Sequence, residues 1–97
     1  MEMSQTFKIA VSLMQFNKEQ AIREFEYDLI DNPTNISALH NIALCKIKLA
    51  KEAKDKNILK ESIAYLQKAV DIMDREKYNP RPNQIDESLK MAQNITI

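Results

Sequence analysis

Cys45 and His40 are the only cysteine and the only histidine of this 97-residue chain, and they are its natural candidates for a nucleophile or a soft metal ligand. A thiolate beside an imidazole can attack a carbonyl, and both groups can hold zinc. Their spacing works against either joint use. Five residues along a helix turn the second side chain about 140° away from the first, so the two face different ways. One cysteine and one histidine cannot supply a thiolate and imidazole zinc cluster within one chain, and a lone cysteine forms no intrachain disulfide. The carboxylates Glu24, Glu26, Asp28, Asp31, Asp71, Asp74 and Glu76 include no Glu-x-x-His pair of the kind that holds a dimetal centre in a bundle. They read as solvated faces. The expectation is no catalytic residue, no metal site and no cofactor.

The cations carry a different message. Lys46, Lys48, Lys51, Lys54, Lys56 and Lys60 crowd into one stretch. Lysines near a helix C-terminus complement its dipole, and the same run could form a patch for an acidic peptide. Across the chain Lys plus Arg equals Asp plus Glu, at 14 each, so the net charge is zero. The basic excess of a nucleic-acid binder is missing, and a nucleic-acid partner is not expected. Glycine is absent altogether, which argues against phosphate-cradling loops and dinucleotide fingerprints, both of which need glycine for close backbone approach. No stretch is apolar enough to cross a bilayer, and MEMSQTFK lacks the basic and apolar regions of a signal peptide. No membrane association and a cytoplasmic location are expected.

These side chains must be positioned by helices. Apolar residues recur at helical spacing in five segments. Residues 4–16 carry Phe7, Ala10, Val11 and Met14, with Ile9, Leu13 and Phe16 as a second stripe, which predicts a helix packed on two sides. Residues 18–31 follow an Asn17 cap with Gln20 at capping-box spacing and Phe16 placed to staple on Ala21; the buried face is Ala21, Ile22, Phe25 and Leu29. Asp31-Asn32-Pro33-Thr34-Asn35 stops that helix. Residues 36–53 present Leu39, Ile42, Ala43, Ile47, Ala50 and Ala53, leaving Leu44 and Leu49 off the stripe. Residues 58–75 present Leu59, Ile63, Leu66, Val70 and Met73. After Pro80 and Pro82, residues 84–95 carry Ile85, Leu89, Ala92 and Ile95. Short links between consecutive helices predict antiparallel hairpins. The polar run Lys51–Asn57 could extend the third helix or form a loop.

Ala21, Phe25 and Pro33 stand at the spacing of a small residue, an aromatic and a closing proline, and this resembles the second helix and turn of a tetratricopeptide repeat (TPR). Leu39, Ile42 and Ala43 resemble the start of the next first helix; Ser62, Ile63, Leu66 and Ala69 resemble the following second helix. From Ala21 to Ser62 is 41 residues, against a family period of about 34, so an insertion of about seven falls near Lys51–Leu59. The resemblance implies an all-α fold of one domain, residues 1–97. Two helix hairpins would stack as a short right-handed solenoid, and a fifth helix would close it.

It also implies a non-enzymatic interaction module or adaptor, binding a peptide or helix of a partner protein in a groove lined by helix three. Ser37, His40, Asn41, Leu44 and Lys48 are the groove residues on this reading. Asn41 matches one position of the clamp that holds chaperone C-terminal carboxylates. Phe7 and Val11 stand near the clamp's other positions, which turns the reading away from chaperone tails. The alternative expectation is a structural helical protein, a homo-oligomer that self-associates through the same surface. Exposed Leu44, Leu49, Ile95 and Ile97 would serve either use.

Overall fold

A computed structural model describes residues 4–97. Among these residues the chain is all-α, with five helices packed against one another: α1 (Gln5–Leu13), α2 (Lys18–Asp31), α3 (Ile36–Ala53), α4 (Lys56–Arg75) and α5 (Asn83–Gln93). Each helix packs on the next in sequence, and α5 also returns to touch α3.

Caps set most of the boundaries. Ser4, Asn17, Asn35 and Asp55 each accept a hydrogen bond from a first-turn backbone N–H, the interaction that makes Ser, Asn and Asp good N-caps. Helix α1 ends at Leu13, three residues short of the expected Phe16, in a turn closed by the Asn17 N–H on the Leu13 carbonyl at 2.8 Å. The capping box at Asn17 is half formed. The Asn17 side chain accepts from the Gln20 N–H, but the Gln20 side chain turns forward to Glu24 at 2.8 Å. The staple does not form, because Phe16 is 86% exposed.

The stretch around Lys51–Leu59 is helix rather than loop. Helix α3 runs to Ala53, Lys54 takes the left-handed conformation (φ 51°, ψ 46°), and Asp55 caps α4. The Asp55 N–H reaches back to the Ala50 carbonyl at 3.0 Å, closing the helix as a Schellman motif does. Lys77 repeats the device after α4, with φ 53° and the Tyr78 N–H on the Met73 carbonyl at 3.1 Å. A chain without glycine uses lysines where the left-handed turn is required. The extra length therefore went into two long helices of 18 and 20 residues.

Helix α3 separates two cores. Its Ala38, Ile42 and Cys45 join Phe7, Ala10, Ala21, Ile22 and Phe25, where the Phe7 and Phe25 rings meet edge to face at 5.5 Å. Its Leu39, Ala43, Ile47 and Ala50 join Leu59, Leu66, Ala69, Ile72 and Met73 of α4 and Ile85 and Ala92 of α5. Leu49 is half-buried against the first core, and Ile95 and Ile97 pack against the second. The second stripe of α1 is divided: Leu13 packs against the first core, while Ile9 is 43% exposed and Phe16 points to solvent.

Asp28 corrects the reading of the carboxylates as solvated. It is buried, and its oxygens accept from the Ser4 hydroxyl, from Asn32 Nδ2 at 3.3 Å and from Asn35 Nδ2 at 2.8 Å. Ser4 and Asn35 are themselves helix caps, so one carboxylate ties the starts of α1 and α3 to the end of α2. After α4, Arg81 bonds Asp86 through two nitrogens at 2.9 and 2.8 Å and also bonds Asp74. It thereby pins the proline-containing turn between α4 and α5.

Candidate functional site

Two depressions of the surface are similar in size and opposite in chemistry. The first, about 640 Å³, lies beside the α2–α3 turn and is lined by Ser4, Asp28, Asp31, Asn35, Glu76 and Tyr78 among others. Its buried carboxylate, Asp28, is already bonded to Ser4, Asn32 and Asn35, so these groups serve the fold.

The second, about 620 Å³, is a groove between α1, α3 and α5, with Lys18 of α2 at its edge. Val11 comes from α1 and Met14 from its C-cap, Leu44, Ile47, Lys48 and Lys51 from α3, and Met91 from α5. The spacing explains the grouping. Val11 and Met14 are three residues apart, and Leu44, Lys48 and Lys51 step by four and three, so each set shares one helix face. Val11 and Met91 remain 44% exposed, an apolar floor left open to solvent. Lys18 pairs with exposed Glu52 at 3.8 Å at the edge. Among the described residues, Lys48 and Lys51 form no ion pair.

The five groove residues expected from the sequence are divided by the fold. Leu44 and Lys48 line the groove. Ser37 lies in the other depression. His40 is occupied within the chain: its Nε2 and the Ser88 hydroxyl of α5 are 2.8 Å apart in a hydrogen bond, and burial lowers its pKa from the usual histidine value. Asn41 is half-buried and lines neither depression. The fifth helix reaches α3 at its N-terminal half, so the open part of this face begins at Leu44. Sequence reasoning missed Gln15 of the turn after α1, Lys18 of α2 and Met91 of α5. Val11 and Met14 were legible as a helical stripe, though not as a groove wall.

Cys45 sits at the groove's base, facing the first core. Burial pushes its thiol pKa up, and the nearby Lys18 and Lys48 ammoniums offset part of that shift. A thiol held protonated is a poor nucleophile. Among the described residues, no group of three or more His, Cys, Asp or Glu side chains is placed to hold a metal ion, and no helix is long and apolar enough to cross a membrane.

The site and fold together define a class: stacked helix hairpins that present a groove. No family model, no curated protein and no solved structure matches the chain.

Proposed function

We propose that the chain is a TPR-like protein-interaction module, without catalysis of its own, that takes a peptide or helix of a partner protein in the groove between α1, α3 and α5. The observation that carries the reading is the open apolar floor of Val11, Met14, Leu44 and Met91, framed by lysines. The TPR resemblance is supported by burial: Ala21, Phe25, Leu39, Ala43, Ser62 and Ala69 are fully buried at helix contacts, where that pattern needs small or well-packed residues. The pattern's proline, Pro33, lies in the turn between α2 and α3.

The test is affinity capture with Leu44→Arg and with Lys48→Glu plus Lys51→Glu. Each variant is expected to lose the captured partner while its circular dichroism is kept. Unchanged capture by both variants refutes the groove. A second reading, self-association through the same groove, is supported by the outer face of α2, where Tyr27 is 63% and Ile30 74% exposed beside the exposed Glu26 and Asp31. Sedimentation velocity over a range of concentrations separates the two, since self-association requires a concentration-dependent mass.

A further inference from the structure

We propose that the groove's occupant is an acidic amphipathic helix of a partner protein, its apolar stripe on Val11, Met14, Leu44 and Met91 and its carboxylates toward Lys18, Lys48 and Lys51. This rests on the reading of the groove as a protein-binding site and names the chemistry of what it binds.

The charge distribution is the first argument. The chain is neutral overall, yet its depressions are segregated by sign. Asp28, Asp31 and Glu76 line one, with no cation among the described residues. Three lysines line the other, and among the described residues no carboxylate does. A ligand that covers the groove brings its own charges against those lysines, so a basic helix is repelled and an acidic one attracted. The lysines need not be buried for this, because their stems can lie along the apolar wall while the ammonium groups stay wet at the edge.

The form of the ligand follows from the backbone. An extended peptide can gain affinity by adding to a sheet edge, and among the described residues no strand lines this groove. Laid on the apolar floor, an extended segment would face part of its N–H and C=O groups with no partner, whereas a helix satisfies its own. Methionines on two of the walls can adjust to an apolar stripe of varied shape. Among the described residues the lining contains no aromatic ring and no arginine, the groups that stack bases or grip phosphates in single-strand nucleic-acid sites. A protein ligand is therefore favoured over a nucleic acid.

The experiment uses the full chain and three fluorescein-labelled helical peptides of about four turns. All share one leucine stripe, and the remaining positions are Glu, Gln or Lys. Fluorescence anisotropy is expected to show the Glu peptide binding about tenfold tighter than the Gln peptide and the Lys peptide weakest, with affinity falling as salt rises. The K48E/K51E variant, with its circular dichroism kept, is expected to prefer the Lys peptide. Lys48→Gln should give an intermediate result. Equal binding of the Glu and Gln peptides, unchanged by K48E/K51E, overturns the acidic assignment and leaves the groove reading standing. Failure of all three peptides to bind overturns both. A single-stranded oligonucleotide that displaces the Glu peptide as well as unlabelled peptide does overturns the protein assignment. Concentration-dependent dimerisation abolished by K48E/K51E reassigns the groove to a second copy.

Discussion

The two hairpins of this molecule solve the same problem with different means. The α3–α4 pair is long and buries a continuous apolar seam, from Leu39 through Leu66 to Met73, which α5 then covers at Ile85 and Ala92. The α1–α2 pair is short. It relies on the Phe7–Phe25 contact and on a buried carboxylate that knots three helix ends, while Ile9, Phe16, Tyr27 and Ile30 stay exposed. Burial scales with helix length, because each added turn brings another apolar residue to the seam. The second hairpin can thus serve as a scaffold, and the first as a wall of the groove with less core behind it.

The largest effects should come from emptying each core. Leu66→Ala, at a fully buried position of α4, is expected to cost about 3–5 kcal/mol and to lower protection from amide exchange throughout. Phe25→Ala should cost a similar amount, but exchange should rise first in α1 and α2, with α3 to α5 still protected. Equal exchange everywhere in both variants would show one cooperative unit and break the distinction between the hairpins.

Next is the polar knot. Asp28→Ala strands the donors of Ser4, Asn32 and Asn35, and chemical denaturation should show a loss of about 2 kcal/mol, again with exchange rising at the starts of α1 and α3. A neutral result would mean that water satisfies those donors and that the first hairpin stands on its rings alone.

Smaller gains should follow at the tight link of the long hairpin. Lys54 holds a left-handed conformation that costs a residue with a Cβ about 1 kcal/mol. Lys54→Gly is therefore expected to raise the melting temperature by a few degrees, measured by calorimetry.

The smallest effects are electrostatic and lie around α5. Arg81 holds the Asp86 carboxyl below its usual pKa by hydrogen bonding. The folded state thus binds this proton less readily than the unfolded state. The contribution of the pair is complete above the ordinary Asp value of 3.8 and is lost as pH falls through the lower folded value. In Arg81→Gln that part of the acid dependence should vanish. Burial lowers the His40 pKa from 6.5, so stability should also decline as pH drops below about 6.5, and His40→Gln should flatten the curve there. Denaturation midpoints measured between acid and neutral pH check both.

Much of the fold was legible because helices are read locally. The Ala21, Phe25 and Leu39 positions announced themselves by spacing, and Asn17, Asn35 and the Pro33 turn by residue chemistry. The Lys51–Asn57 run was ambiguous, since its polar residues suit a helix surface or a loop. Only the left-handed Lys54 shows that the chain reverses within two residues between α3 and α4. The groove was half legible. Leu44 and Lys48 share a helix face that any helical reading can list. Ser37 and His40 share much the same face, and what removes them is where α2, α3 and α5 meet.

Sequence alone determined the helical class, the pairing of consecutive helices and the absence of glycine-built sites, because these depend on periodicity, caps and composition along the chain. Tertiary structure decided the rest. It buried Asp28 among three helix ends, spent His40 on Ser88, and brought Met14, Lys18, Leu44 and Met91 to one groove. Those residues are far apart in sequence, and their meeting depends on where each helix stops and on which face of α3 the returning fifth helix covers.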